Sequence, residues 1–308
     1  MRLGARQSPP PASSDVTDGF PRAESQTDAP MAKTTSDLML RFWGVRGSIA
    51  CPASCNMRYG GNTSCIEIRR GDDLLVIDGG TGLRDLGHRL MEEGRPDVDV
   101  FFTHTHWDHV CGVPFFKPAY AKGRKVRFWA GHLKPQNKSI YTVLCETMMA
   151  PLFPVPIGVF QDCEYHDFDC GTPMEPFPGI KLNTCWLNHP NLACGYRIDV
   201  GGKSICIITD TEHRPEGVDP VIADFVRGAD IMVYDAMFTD EEYPRFVGWG
   251  HSTWQEALRL ADAADVGRVV LFHHDPNHDD AFLDRIADAA DRRRPGTLVA
   301  HEGMTLHP

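Results

Sequence analysis

A short apolar run that ends in a cluster of potential metal ligands constrains the fold of this chain more than any other feature. Residues 98–103 have the composition of a buried β-strand, and positions 104–109 read His-Thr-His-Trp-Asp-His. His104 and His106 are two residues apart, so at a strand end both side chains point the same way. Asp108 and His109 continue round a turn. Imidazole and carboxylate groups are the ligands that zinc-like divalent ions prefer, so we expect a metal site at the end of this strand rather than a polar loop.

The composition limits the partners of the chain. Its 308 residues are 42% hydrophobic, which is enough to bury a sizeable core. Acidic residues number 42 against 31 basic residues, which gives a formal net charge of −11. An acidic protein repels a polyanion at long range, so a large nucleic acid is disfavoured as a partner. A local basic pocket for a small phosphate compound stays compatible with this charge.

Cysteine usage and hydropathy indicate the compartment. The ten cysteines include no CxxC pair, residues 1–35 contain no apolar core of a signal peptide, and no apolar run is long enough for a membrane span. We therefore expect reduced thiols in a cytoplasmic protein that does not enter a membrane.

The chain divides into a tail and one large domain. Residues 1–36 are rich in Pro, Ser, Thr and Asp, which predicts a disordered tail, and translation starts at either Met1 or Met31. Residues 37–308 form the predicted hydrolase domain. The stretch 150–175 is rich in proline yet apolar, which predicts an ordered, lid-like insertion. The alternative is a subunit contact, which leaves a homodimer possible.

Periodicity predicts a mixed α/β architecture. Strand-like runs lie at residues 38–43, 65–69, 74–77, 98–103, 126–130, 180–187, 195–200, 204–209, 231–234 and 268–272. Helical patterns lie at residues 83–93, 139–149, 219–227, 253–264 and 280–292. A group of strands, followed by strands that alternate with helices, occurs twice along the chain. This order predicts two mixed sheets that pack face to face between outer helices. Ser252 or Thr253 can cap the fourth helix, with Glu256 at capping-box spacing from Thr253.

The HxHxDH pattern at positions 104–109 resembles the motif of the metallo-β-lactamase-fold hydrolases, and the resemblance covers about residues 38–308. It implies an αββα fold and two divalent metal ions, with zinc expected first and manganese or iron as alternatives. Site one would consist of His104, His106 and His189. Site two would consist of Asp108, His109 and His273. Asp210 would bridge the two ions.

Two details of this resemblance depend on neighbouring residues. Either His273 or His274 can be the last ligand; strand alternation favours His273, and His274 would then turn toward a carboxylate such as Asp275. Asp78 opens the run Asp-Gly-Gly-Thr-Gly, which is similar to the glycine turn that supports the metal loop of the family. Its carboxylate is expected to support a ligand rather than to be one.

A second cluster indicates the branch of the family. Residues 234–238 read Tyr-Asp-Ala-Met-Phe and residues 248–253 read Gly-Trp-Gly-His-Ser-Thr. The pair resembles the motifs of the ribonuclease Z and phosphodiesterase branch, with Asp235 in place of the usual glutamate. The resemblance implies that metal-bound hydroxide attacks phosphorus while His251, held by Asp235, protonates the departing alkoxide. Together with Asp108, these are the predicted catalytic residues. The alternative is that His251 only caps a helix.

The substrate class is predicted by excluding the alternatives within this branch of the family. Arg46, Asn62 and Ser252 are candidate substrate contacts. Gly47, Gly60 and Gly61 allow close backbone approach, and Arg46 or Arg58 could pair with a phosphate. A tight structural turn accounts for these glycines equally well. The region where ribonuclease Z proteins carry a basic arm that grips tRNA turns apolar and acidic here. This favours a small phosphodiester, such as a cyclic nucleotide or a cyclic sugar phosphate. A ribonuclease Z-like endoribonuclease, a hydrolase of carboxyl esters or thioesters, and a metal-binding sensor with little turnover are the alternatives.

Overall fold

The structure is a computed structural model that describes residues 38–94 and 97–308. All of these residues belong to one compact unit, Lys33–Pro308. The expectations for the tail 1–36, and the choice between Met1 and Met31, concern residues outside the described ranges.

Fourteen strands and six α-helices build the described part of the chain. The strands are β1 (Leu38–Gly44), β2 (Cys65–Arg70), β3 (Asp73–Ile77), β4 (Val98–Phe102), β5 (Val126–Ala130), β6 (Cys163–Asp167), β7 (Met174–Phe177), β8 (Ile180–Leu187), β9 (Ala193–Val200), β10 (Lys203–Ile208), β11 (Ile231–Asp235), β12 (Arg268–Phe272), β13 (Leu298–Val299) and β14 (Thr305–Leu306). The helices are α1 (Gly82–Glu93), α2 (Trp107–Val110), α3 (Ile140–Thr147), α4 (Pro220–Val226), α5 (Trp254–Ala263) and α6 (Asp280–Arg293).

The strands form two seven-stranded mixed sheets with the same pairing pattern. The first has the order β14-β1-β2-β3-β4-β5-β6, and the second has the order β13-β12-β11-β10-β9-β8-β7. In the first sheet, the neighbours in the series β14-β1-β2-β3 pair antiparallel, and the neighbours in the series β3-β4-β5-β6 pair parallel. In the second, the strands from β7 to β10 pair antiparallel and those from β10 to β13 pair parallel.

Three apolar clusters separate four layers. The central cluster lies between the sheets and joins side chains such as Phe42 and Phe101 to Ile198 and Phe272. A second cluster lies between the first sheet and α1 and α3. The third packs α4, α5 and α6 on the outer face of the second sheet. This arrangement confirms the predicted αββα fold.

The predicted elements agree with the structure except at four edge strands and at the one-turn helix α2, where a turn was predicted. All ten predicted strands and five predicted helices are present, with ends shifted by a residue or two, and Thr253 caps α5 by accepting the backbone N–H of Glu256. The pattern missed β7, β13, β14 and β6. The strand β6 falls inside the stretch 150–175, so the second half of that stretch is partly edge strand; its role as a lid stays a prediction.

Two further expectations can be compared with the structure. All ten cysteines lie in the described ranges, and no disulfide joins any two of them. Among the helices of residues 38–94 and 97–308, none is long and apolar enough to cross a membrane.

The directions of the strands bring the ends of four of them to one edge of the second sheet. Strands β10, β11 and β12 are mutually parallel, and β8 runs in the same direction because it is two antiparallel steps from β10. Their carboxyl ends therefore meet at one edge. The end of β4 joins this edge from the other sheet, because the N–H of Cys194 and the hydroxyl of Tyr196 donate to the carbonyls of Thr103 and Phe102 at 2.8 and 2.7 Å.

Candidate metal centre

The seven residues predicted as metal ligands lie together at this edge. Their side-chain nitrogen and oxygen atoms fall into overlapping groups, within each of which all ligand atoms lie within 4.8 Å of one another. The groups are His104 with His106 and His189, Asp108 with His109 and His273, His104 with His109 and Asp210, and Asp210 with Asp235, His251 and His273. The first two groups correspond to the predicted sites one and two.

In the first group two imidazole nitrogens face each other. Nε2 of His189 lies 3.0 Å from Nδ1 of His106. The opposite nitrogen of each ring has an oxygen acceptor: Nδ1 of His189 donates to the Gly250 carbonyl at 2.8 Å, and Nε2 of His106 donates to Oδ1 of Asn191 at 3.2 Å. With the ring protons on those outer nitrogens, the two facing nitrogens present lone pairs to each other. A shared cation would turn this repulsion into attraction.

His104 completes the first group with a buried nitrogen that lacks a partner. Its side chain is almost fully buried, and Nε2 makes no hydrogen bond within the described part of the chain. The other ring nitrogen lies 3.1 Å from the hydroxyl of Thr103. A buried polar atom without a partner costs free energy, so such atoms need an explanation. A bound cation supplies one.

The second group is organised by Asp78. Its Oδ2 accepts the Nδ1–H of His109 at 2.8 Å, while its two oxygens also accept hydrogen bonds from Ser64 and Thr103. Asp78 thus orients the His109 ring, and Nε2 of His109 faces the cluster. That atom lies 3.3 Å from Nε2 of His273. Two nitrogens bound tetrahedrally to one zinc ion would be roughly 3.3 Å apart.

His273 faces the cluster and His274 faces away. Nε2 of His273 lies 3.3 Å from Oδ2 of Asp108 and 3.3 Å from Oδ1 of Asp210. The ring packs so closely against Gly47 that a Cβ there would lie 2.4 Å from it. The expectation that His274 turns toward Asp275 is wrong, because its Nε2 donates to the carbonyl of Ala300 at 2.9 Å in the interior.

Asp210 lies between the two groups. Its carboxylate oxygens are 3.8 and 3.9 Å from Nε2 of His104 and His189, and 3.4 and 3.3 Å from Nε2 of His109 and His273. The backbone of Asp210 has φ 59° and that of His273 has φ 61°, a region that costs free energy for residues other than glycine. The fold thus places a carboxylate where it can reach both groups.

Two of the clustered histidines have lowered pKa values and two have raised pKa values. Burial lowers the pKa of His104 well below its usual value and that of His189 to about 4, so both rings are neutral. Burial also opposes charge on His109 and His273, but the Asp210 carboxylate outweighs it; the pKa of His109 is well above its usual value and that of His273 is about 9.

The carboxylates are ionised. Burial opposes the charge of Asp210 and Asp108, yet neighbouring histidines hold both pKa values well below the usual range. The centre therefore combines the neutral imidazoles of His104 and His189 with buried carboxylates, and the carboxylates favour positive charge on His109 and His273. A divalent cation suits this donor set, since its binding would displace the protons of His109 and His273.

Asp235 and His251 form a pair beside this centre. Nδ1 of His251 donates to Oδ2 of Asp235 at 2.9 Å, and the same ring stacks on His273 with centroids 5.0 Å apart. Both side chains are buried, although His251 keeps 8% exposure. Within the described ranges no residue hydrogen-bonds Nε2 of His251, so this nitrogen can serve a substrate.

The side chains of the three predicted substrate contacts are engaged by other groups of the protein, although Ser252 lies directly beside His251. Arg46 is wrong as a phosphate ligand, because its guanidinium is fully buried and donates to the carbonyls of Gly60, Asp275 and His278. Ser252 is also fully buried, with its hydroxyl 2.9 Å from Nδ1 of His213.

Asn62 is held by another side chain rather than presented to a ligand. Its backbone N–H and its Nδ2 both donate to the carboxylate of Glu302, at 2.6 and 3.2 Å. Arg46, Ser252 and Asn62 thus join neighbouring loops instead of lining an opening.

Sequence reasoning missed two residues that orient ligands. Asn191 has φ 63° and orients His106, and Gly250 has φ +86° and orients His189 through its carbonyl. A Cβ at Gly250 would lie 2.3 Å from Nδ1 of His189. The only local signals were an Asn shortly after His189 and a Gly directly before His251, and neither position reveals its contact.

Curated relatives of this chain are named ribonuclease Z. Ribonuclease Z of Myxococcus xanthus (strain DK1622) is 23% identical over 291 residues, covering 80% of this chain and 92% of that protein. Ribonuclease Z of Bradyrhizobium sp. (strain ORS 278) is 33% identical over 253 residues, covering 67% of this chain and 81% of that protein.

Solved structures share the fold. The metallo-β-lactamase-fold protein YhfI from Bacillus subtilis has a TM-score of 0.65 at 18% identity, covering 87% of this chain and 98% of that chain. A diphosphatase of the PhnP family has a TM-score of 0.63 at 18% identity, covering 87% and 96%. Residues 74–274 match the family described as the β-lactamase superfamily domain. The chain therefore belongs to the metallo-β-lactamase superfamily, in its ribonuclease Z-like branch, and is a metal-dependent hydrolase.

Proposed function

We propose that the chain hydrolyses phosphodiesters with two divalent metal ions, and that protonated His251 delivers the proton that the leaving alkoxide needs. The observation that carries this proposal is the hydrogen bond from His251 to the buried carboxylate of Asp235, directly beside the cluster of metal ligands. Hydrolysis of a thioester offers no comparable role for this pair, because a thiolate leaves without a proton far more readily than an alkoxide does.

The donor set supports two ions. His104, His106 and His189 would hold the first, Asp108, His109 and His273 the second, and Asp210 would contact both. Nitrogen and oxygen ligands in this number favour zinc, and manganese or iron are also compatible. When bound, such ions lower the pKa of water and offset the negative charge of the phosphate.

The chain's own residues orient the reaction. The backbone N–H of Ser48 donates to Oδ2 of Asp108 at 2.7 Å, so the carboxylate has a fixed orientation in which it can hold the attacking water. The attacking water gives one proton to the solvent, its oxygen forms a bond to phosphorus, and the ester bond breaks. Nε2 of His251 donates a proton to the departing oxygen, while Asp235 stabilises the charged imidazolium that precedes this transfer.

A small phosphodiester, such as a cyclic nucleotide or a cyclic sugar phosphate, is the first substrate class that we propose. The net charge of −11 supports it, since a long polyanion is repelled. The Asp–His pair is equally suited to any phosphodiester with an alkoxide leaving group.

Endoribonuclease activity is the second candidate. The relatives at 23% and 33% identity are named ribonuclease Z, which conflicts with the expectation that a large nucleic acid is unlikely. Two exposed tryptophans favour it as well. Trp107, 59% exposed, lies between the ligands His106 and Asp108, and Trp249, 62% exposed, adjoins Gly250. Exposed aromatic rings beside a phosphodiesterase centre can stack on the bases of a single strand.

The test is metal analysis followed by assay of the metal-loaded enzyme against linear, cyclic and polymeric phosphodiesters, with a carboxyl ester and a thioester in the same panel. We expect turnover of phosphodiesters, reduced about 10²–10⁴-fold in His251→Ala with metal content unchanged. Faster cleavage of a tRNA precursor than of cyclic nucleotides would select the second candidate. Turnover of the thioester alone would refute the proposal, and metal binding without any turnover would indicate a sensor.

A further inference from the structure

We propose that Glu212 is a positioning residue that fixes the proton donor His251 by joining three loops of the site. This inference rests on the proposed role of His251. The loops are residues 188–191, which carry His189, residues 209–213, which carry Asp210, and residues 243–251, which carry His251.

The backbone of Glu212 holds the first loop. Its N–H donates to the carbonyl of Asn188 at 2.8 Å, and Nδ2 of Asn188 donates back to the carbonyl of Glu212 at 3.0 Å. Asn188 directly precedes the ligand His189, and Glu212 lies two residues after Asp210. These two reciprocal hydrogen bonds therefore set the distance between two ligand-bearing loops.

The side chain of Glu212 holds the third loop. Oε1 accepts hydrogen bonds from the hydroxyl of Tyr243 at 2.9 Å and from the N–H of Gly248 at 2.8 Å. Oε2 accepts from the N–H of Gly248 at 3.0 Å and of Gly250 at 2.8 Å. One carboxylate thus joins both ends of a turn whose glycines have φ of 89° and 86°.

The last of these contacts lies next to the chemistry. Gly250 donates its N–H to Glu212, accepts the Nδ1–H of His189 through its carbonyl, and directly precedes His251 in the chain. Displacement of this peptide would move the ring of His251 relative to Asp235. A displacement of about 1 Å at a catalytic group can cost ~10²-fold in rate.

The chemistry of the contacts requires a carboxylate. Two backbone N–H groups and one hydroxyl donate to the two oxygens of Glu212, and hydrogen bonds to an ionised acceptor are stronger than neutral ones. Glutamine of the same shape has one acceptor oxygen and one NH₂ group. That NH₂ group would face a backbone N–H, so Glu212→Gln keeps the volume and loses part of the anchor.

Two substrates with different leaving groups can show whether Glu212 positions the proton donor or only stabilises the site in general. A p-nitrophenolate ion leaves without a proton, whereas an alkoxide needs one. We expect Glu212→Gln to lower kcat for an alkoxide-releasing phosphodiester about 10–10²-fold and to change kcat for the p-nitrophenyl ester less than threefold. Metal content should stay at the wild-type level. Glu216→Gln, an exposed glutamate on the same loop, is the matched control and should behave as wild type.

A second measurement does not depend on turnover. The Nδ1–H of His251 donates to a buried carboxylate, so its proton should give a downfield NMR signal, assigned by its loss in His251→Ala. We expect Glu212→Gln to weaken or shift this signal and Glu216→Gln to preserve it.

The outcomes distinguish the inference from the proposed function. An unchanged His251 signal, an equal loss of rate with both substrates, or loss of metal in Glu212→Gln would each overturn the positioning role. A wild-type enzyme without phosphodiesterase activity would contradict the proposed function, while the NMR comparison would still decide whether Glu212 fixes His251.

Discussion

The Nδ1 atom of His251 lies 2.9 Å from Oδ2 of Asp235, a carboxylate that is completely buried. Three backbone N–H groups, from Met237, Ser252 and Thr211, also donate to this carboxylate. Asp235 therefore cannot turn away from His251 without leaving buried donors without partners. The pair is fixed relative to the metal centre before any substrate binds.

Asp235→Asn tests this relationship. The amide NH₂ group cannot accept the Nδ1–H of His251, so the ring adopts the wrong tautomer or turns, and the imidazolium loses its counter-charge. We expect kcat for an alkoxide-releasing phosphodiester to fall about 10²–10⁴-fold. Steady-state kinetics together with metal analysis provide the measurement. Full activity with full metal content would show that Asp235 has no part in proton delivery.

Asp210→Ala should deplete both metal positions, because this carboxylate is within 4 Å of ligand nitrogens in both groups. Metal analysis after dialysis against a weak chelator gives the stoichiometry, with His251→Ala as the variant that should keep the wild-type content. Retention of two full equivalents by Asp210→Ala would contradict the bridging position.

Gly250→Ala should remove metal from the first group. A Cβ at this position would lie 2.3 Å from Nδ1 of His189, and the φ of +86° adds about 1–3 kcal/mol of backbone strain. Gly248→Ala is the matched control: its φ is +89°, but a Cβ there has no neighbour within 4 Å. We expect a larger loss of stability in Gly250→Ala than in Gly248→Ala by urea denaturation, and loss of metal in Gly250→Ala alone. Equal metal contents in the two variants would mean that the contact with His189 is dispensable.

Trp249→Ala tests the second candidate substrate. If bases stack on this exposed ring, the loss of ~1–3 kcal/mol of stacking should raise KM for single-stranded RNA about 5–100-fold. KM for a small dialkyl phosphodiester should not change. Tyr141→Ala removes an exposed aromatic side chain on α3 and serves as the control. An identical KM for RNA in all three proteins would count against base stacking at this site.

Asp240 should make the free energy of unfolding depend on pH in the acid range. Burial opposes its charge, but hydrogen bonds from Arg259 and Thr253 hold its pKa below the usual value. A depressed folded-state pKa adds stability above the unfolded pKa of about 4, and this contribution is lost as pH falls through the folded value. Asp240→Asn should therefore be less stable than wild type at pH 7, and the difference should shrink toward pH 3. A difference independent of pH in urea denaturation would exclude this linkage.

Local patterns were sufficient for the fold and for the residues that the structure gathers at its edge. Strand alternation and turn residues located ten strands and five helices, because buried strands and amphipathic helices repeat with fixed periods. The resemblance to the metallo-β-lactamase-fold hydrolases implies ligands after particular strands. It pointed to His189, Asp210 and His273 because each of them follows a predicted strand. The edge strand β6 was missed because all of its side chains are half-buried and polar residues interrupt the pattern.

What the sequence by itself determined is therefore the αββα fold, the candidate ligands and the pairing of Asp235 with His251. Only the tertiary structure decided which polar side chains face the site. Arg46 has the context expected of a phosphate ligand, yet carbonyls from residues 275 and 278, more than 200 positions away, surround its guanidinium. Asn191, Gly250 and Glu212 carry no local signal for the same reason. Their roles consist of contacts between loops distant in sequence, and a residue type cannot reveal which distant group will become its partner.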